Sequence, residues 1–161
     1  MTMTDIEEVK RAVNAAVGSL KEELPKLDFQ AVHERSTAHR LAVQLESHFK
    51  TWNVDCEYDR NEQQLQKMLD GIAQYKSKKT EKPTDGVLPD IIVHHRGGEG
   101  PEHNLLVVEL KKHAKFDACD DAKLKLFTDQ NGHYKYQVGL YININSGNFD
   151  PNWYRDGAKL S

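Results

Sequence analysis

The apolar residues of the chain fall into a few clear periods. Ile6, Val9, Val13, Ala16, Val17, Leu20 and Leu24 recur at helical spacing, and Pro25 stops the run. They predict an amphipathic first helix. A second helix is predicted from about Phe29 to Lys50, with Asp28 as its N-cap and Ala38, Leu41, Ala42, Leu45 and Phe49 as its apolar stripe. Glu34 lies four residues before Ala38 and seven before Leu41, which puts it on the inward face near the helix start. A glutamate in a first turn is also what the helix dipole favours. His39 and Arg40 fall on flanking, partly solvated faces.

Val54 to Tyr58 reads as a short strand, and Leu65, Met68, Leu69 and Ile72 as a short helix. The polar loop YKSKKTEKPTDG follows, with Lys76, Lys78, Lys79 and Lys82. Such a run is either ordinary solvated loop or a basic arm that meets phosphates. Then come two continuous apolar runs, Ile91 to Val93 and Leu105 to Val108, joined by Gly97-Gly98-Glu99-Gly100-Pro101. Continuous runs predict strands covered on both faces, and the glycines and proline predict a turn between them. Asp117, Asp120 and Asp121 open another helix, read as burying Cys119, Ala122, Leu126 and Phe127 and stopped by Asn131-Gly132. From Tyr134 to Asn145 the chain alternates, with Tyr134, Tyr136, Val138, Leu140, Ile142 and Ile144 on one strand face. The last stretch reads as irregular, with Phe149, Trp153 and Tyr154 folding back onto the body. This order predicts an α/β fold, a small mixed central sheet flanked by helices.

Composition adds limits. A chain of 161 residues suits one domain, divided here into an N-terminal helical extension (1–27), a core (28–145) and a C-terminal tail (146–161). A charged share of 29% against a hydrophobic 38% implies a polar surface. The net charge of −3 argues against a broad basic coat for nucleic acid but leaves room for a local basic groove. Cys56 and Cys119 sit in apolar patterns and are expected as buried, reduced thiols. No signal peptide is expected in the polar, acidic first ten residues, and no apolar run has the length of a bilayer. The chain therefore reads as cytoplasmic, with no membrane partner.

The paired strands also carry charge. Facing residues of an antiparallel hairpin have numbers that sum to a constant. A turn centred near Glu99-Gly100 makes that constant about 199, the sum for Asp90 and Glu109. Facing Cβ atoms lie roughly 4.5–5.5 Å apart, so the two carboxylates can share one Mg²⁺ with its oxygen ligands at about 2.0–2.1 Å. Period two puts Lys111 on the face of Glu109. An ordinary ion pair would explain Glu109 and Lys111 but not the acid across the turn. A Mg²⁺ held there activates water and polarises a phosphate, and a lysine beside it orients the water and neutralises charge. His94, His95, His103 and His113 lack the spacing of a zinc cage and read as surface or substrate-side residues.

Pro89-Asp90 followed by Glu109-Leu110-Lys111 resembles the motif of the PD-(D/E)xK nuclease superfamily, and residues 28–145 resemble its restriction-endonuclease-like αβββαβ core. The resemblance implies a Mg²⁺-dependent nuclease, with Mn²⁺ able to substitute, acting on nucleic acid with DNA favoured over RNA. It implies Asp90 and Glu109 as metal ligands, the carbonyl of Leu110 as another, Lys111 as the catalytic lysine and Glu34 as a helix-borne third acid. It also assigns Lys123 to a position where some members hold a basic or amide residue that contacts nucleic acid. The size suits a stand-alone catalytic core or a homodimer. Two alternatives stand beside it: a non-catalytic nuclease-like binding module, and a nuclease subunit active only with a partner.

Overall fold

The computed structural model describes residues 3–23, 34–56, 89–112, 118–145 and 148–161. Helices α1 (Ile6–Glu23) and α2 (Glu34–His48) come first, then strands β1 (Asn53–Cys56) and β2 (Ile91–His94). A short 3-10 turn (Pro101–His103) leads into β3 (Asn104–Lys112). Helix α3 (Ala118–Thr128) follows, then β4 (Val138–Asn145), β5 (Asn148–Arg155) and β6 (Ala158–Lys159). Among the described residues no helix is long and apolar enough to cross a membrane.

The six strands form one mixed sheet in the order β1-β2-β3-β4-β5-β6. Neighbours are antiparallel except β3 and β4, which run parallel. A parallel pair needs a crossover, and α3 lies within it. The predicted α/β class and the flanked mixed sheet are both present.

The sheet is covered on both sides. Leu106, Val108 and Leu110 of β3 join Ile91 and Val93 of β2 in one apolar cluster under α1 and α2. Val9, Val13, Ala16, Val17 and Leu20 enter it from α1, and Ala38, Leu41, Ala42 and Leu45 from α2. Each fully buried aliphatic side chain of this kind contributes about 1.5–3 kcal/mol relative to exposure. Arg40 of α2 donates to Glu23 of α1 from both Nε (3.1 Å) and Nη2 (3.0 Å), which fixes the two helices together. The opposite face carries a smaller cluster of Ile92, Val107, Leu124, Phe127, Tyr136, Tyr141 and Tyr154 under α3. Gly139 of β4 is what allows α3 that close: a Cβ there would meet Thr128 Cγ2 at 2.9 Å.

Four expectations need correction. The C-terminal stretch is not irregular but forms β5 and β6. Pro151 is tolerated because β6 pairs only with Tyr154 and Arg155, which leaves Pro151 on an open edge. Phe149 and Trp153 do pack on the larger cluster and Tyr154 on the smaller, as expected. Tyr134 and Tyr136 are not on the face of Val138, Leu140, Ile142 and Ile144. They precede β4 and pack on Phe127, because Lys135 at φ 52° breaks the strand period. The inner face of α3 is Asp120, Lys123, Leu124, Phe127 and Thr128, while Cys119, Ala122 and Leu126 are half-buried. The thiols are free but not buried: Cys56 ends the outermost strand and is exposed, and Cys119 sits half-buried in the first turn of α3. Residues 57–88, which include the expected short helix and the lysine loop, and Asp117 and His113 lie outside the described residues.

Candidate active site

The site is built by the β2–β3 hairpin. Positive φ at Gly97 (78°) and Gly100 (93°) lets the chain reverse where a side chain would be strained. Ile91 faces Val108, Ile92 faces Val107 and Val93 faces Leu106, and every pair sums to 199. The register slips only at the turn end, between Val93 and His94. Continued one step past Ile91 and Val108, it sets Asp90 across from Glu109, as the sequence count predicts.

A direct contact fixes Asp90. Its Oδ2 accepts a hydrogen bond from the Leu110 backbone N–H at 2.7 Å. In a strand the N–H and C=O of one residue point to the same side, so the Leu110 carbonyl also faces past the start of β2, toward Asp90. Leu110 itself keeps its side chain in the larger apolar cluster, fully buried. One residue thus anchors β3 in the core with its side chain and turns both its main-chain polar groups to the site.

Glu109 points the other way, toward α3. It is 1% exposed, and its Oε1 lies 2.9 Å from the ammonium of Lys123, whose side chain is 3% exposed. Burial pushes the Glu109 carboxyl up to about 8; Lys123 opposes that, while the nearby charges of Asp90 and Asp120 add to it. The sequence assignment of Lys123 to nucleic-acid contact is therefore corrected in place: this lysine lies inside, against a proposed metal ligand. That assignment comes from the resemblance alone, which gives a position on the helix but not which side of it faces inward.

Lys111 follows Glu109 on the same face, half-buried, at the end of β3. Parallel pairing sets Tyr141 beside Glu109 and Asn143 beside Lys111. Asp120 is buried on α3, and Asp121 receives the Tyr154 hydroxyl at 2.8 Å and the Lys125 ammonium at 2.8 Å. Burial raises the Asp121 carboxyl, but Lys125 and Tyr154 outweigh it and hold the group below the usual aspartate range. Sequence reasoning names Asp120 and Asp121 only as helix openers and Tyr154 only as a packing residue, and passes over Tyr141 and Asn143. The signal for Asp120 was its spacing of seven from Phe127, which puts it on the same helix face.

Glu34 is the first residue of α2. That helix packs on the face of Leu106, Val108 and Leu110, opposite to the one from which Glu109 projects. The structure thus brings together Asp90, Glu109, Leu110 and Lys111 along one strand end, adds Lys123, and seats the helix of Glu34 on the far side of the sheet. Lys76, Lys78, Lys79 and Lys82 lie outside the described residues.

The histidines belong elsewhere. His94 is fully buried, contrary to the expected surface placement, because its Nε2 meets Asp55 Oδ2 at 2.7 Å across the β1–β2 pair. Arg96 also holds Asp55, through Nε at 2.8 Å and Nη2 at 2.6 Å, and is the main reason the Asp55 carboxyl titrates below its ordinary value. His95 stacks on Trp52 with ring centres 3.9 Å apart, and its Nδ1 lies 3.2 Å from His103 Nδ1. These contacts gather at the turn end of the hairpin, opposite to Asp90 and Lys111.

Among the described residues no three His, Cys, Asp or Glu side chains converge closely enough to cage a metal. Asp90, Glu109 and the Leu110 carbonyl are all hard oxygen donors. That set suits Mg²⁺, which takes one or two carboxylates and completes its shell with water and phosphate oxygens. Comparison of the chain with protein-family models, with curated proteins and with solved structures gives no match.

Proposed function

We propose that this chain is a PD-(D/E)xK-type nuclease that hydrolyses phosphodiester bonds with Mg²⁺ held by Asp90 and Glu109. The observation that carries the reading is the placement of Asp90. Its carboxylate is tied to the Leu110 N–H at 2.7 Å, level with Glu109 and beside the strand end that presents Lys111. The element order supports it as well. From α2 to β4 the described chain runs helix, three antiparallel strands, helix, and a strand parallel to the third, an arrangement compatible with the αβββαβ core.

Mg²⁺, or Mn²⁺ in its place, supplies Lewis acidity toward the phosphate and an acidified water. The chain's own groups do the rest. The Leu110 N–H keeps Asp90 aimed at the mouth of the hairpin. The α3 layer closes one side of Glu109 against water. Lys111 orients the attacking water and offsets the negative charge that builds on the phosphate oxygens. DNA is the favoured substrate over RNA, and a homodimer would suit cleavage of two strands.

One observation favours a second reading, a nuclease-like module without turnover or a subunit that waits for a partner. Lys123 already meets Glu109 at 2.9 Å, so this carboxyl has a partner within the chain without a metal.

The test is a cleavage screen with Mg²⁺ and Mn²⁺ over double-stranded, single-stranded and branched DNA and over RNA. Wild type is expected to cut at least one substrate. Lys111→Ala should lower the rate by about 10²- to 10⁴-fold, the usual worth of a positioned proton-transfer group. Asp90→Ala should abolish both cleavage and metal binding. Equal cleavage by all three proteins would identify a contaminant and remove the catalytic reading. Intact fold with no metal binding would favour the second reading.

A further inference from the structure

One buried cation at this site has no part in the chemistry just described. Lysine is almost never fully buried unless it is paired. Lys123 is 3% exposed, and its partner is Glu109 at 2.9 Å, itself 1% exposed. Helix α3 holds the lysine in place between two other inward residues, Asp120 one turn before it and Leu124 beside it. Asp90 stands near enough for its charge to act on Glu109, and so does Asp120. Acidic groups gathered in a poorly solvated space repel one another and need a positive charge among them. Lys123 supplies it from within the chain.

We propose that Lys123 is the resident counter-ion of this site, which holds the metal-free protein together and which a divalent cation must displace from Glu109 in order to bind. The proposal rests on the reading of Asp90 and Glu109 as metal ligands. Two cations compete for one carboxylate. The ammonium reaches it from a helix and the metal from the strand end, where Asp90 and the Leu110 carbonyl face. Displacement has a place to go: Asp120 lies three residues before Lys123, the spacing at which helical side chains meet. The lysine can pass from Glu109 to Asp120 without leaving the protein interior. Lys123 therefore sets how tightly the site takes metal, weakening binding while removing the need for metal in folding.

The experiment compares wild type, Lys123→Met, Lys123→Gln and the double variant Glu109→Gln/Lys123→Met, without nucleic acid. Mn²⁺ binding is read by electron paramagnetic resonance, and thermal unfolding is read in EDTA and in saturating Mn²⁺. Wild type should bind Mn²⁺ weakly, and binding should vanish in Asp90→Asn. Lys123→Met should bind Mn²⁺ at least tenfold more tightly, unfold at a lower temperature in EDTA, and gain more from Mn²⁺ than wild type does. The double variant should recover part of the lost stability in EDTA and lose the gain from Mn²⁺. Should Lys123→Met not fold, Lys123→Gln is read for the same tighter binding. If wild type binds Mn²⁺ through Asp90 but neither Lys123 variant binds it more tightly, the counter-ion proposal is overturned and the metal reading survives. If no variant binds Mn²⁺, the metal-ligand reading falls and takes the proposal with it.

Discussion

The two faces of strand β3 are built on different terms. On one, Leu106, Val108 and Leu110 pack beneath α1 and α2 in a large apolar cluster. On the other, Val107 is followed by Glu109, which meets a helix bearing Asp120 and Lys123 on its inner side. Both faces are equally dry, yet only one gains from it. Aliphatic burial is favourable at each position, whereas a buried ion pair spends its Coulomb attraction on desolvation and is often no better than a well-packed apolar pair. A strand that carries both solutions back to back places apolar packing on one side and the candidate site on the other, the kind of local break in packing rules that functional sites commonly show.

The comparison can be broken most forcefully on the apolar face. Leu106→Ala should lower unfolding stability by about 2–5 kcal/mol, measured by urea denaturation, and leave metal binding in place. A loss below about 1 kcal/mol would mean that this face is not the main source of stability. Per pH unit, a smaller effect is expected on the charged face. Folding raises the Glu109 carboxyl from 4.5 to about 8, so the folded protein binds the extra proton between those values, and the contact with Lys123 becomes a full ion pair only as pH passes about 8. The associated stability is present in full below about 4.5 and is lost as pH rises through about 8, with a slope of at most ~1.4 kcal/mol per pH unit. Glu109→Gln should flatten that slope in metal-free protein. It also deprives Lys123 of its carboxylate, so the slope and not the absolute stability is the quantity to compare. The smallest effect should come from the edge of the α3 layer. Tyr154→Phe removes the hydrogen bond to Asp121 at 2.8 Å and should lower stability by about 1 kcal/mol in the same urea assay.

The same contrast explains what could be read before folding was known. The α1 and α2 stripes and the continuous runs of β2 and β3 were legible because apolar burial leaves a period in the sequence. The register was legible to within a residue or so, because a hairpin with a marked turn has one free parameter and the glycines near Glu99 narrow it without fixing it. The α3 face was not legible. Reading a helix assumes that its inner side is its apolar side, and here Asp120 and Lys123 face inward to meet Glu109. Strand β5 was hidden for a different reason. Its Asp150, Pro151 and Asn152 have poor strand propensity, but pairing with Asn143, Ile142 and Tyr141 of β4 overrides it. Pairing with Glu109 is what the sequence of Lys123 could not announce, since no local pattern links a helix position to a strand fourteen residues earlier.

The flat stack of Trp52 on His95 has a use of its own. Two rings 3.9 Å apart and 2° from parallel are in face-to-face contact, so the emission of Trp52 depends on how His95 sits against it. The chain has only one other tryptophan, Trp153 on β5. The turn end of the hairpin therefore carries its own optical label. In a Trp153→Phe background, its brightness reports on the β2–β3 turn separately from the proposed site at the opposite end of the same two strands.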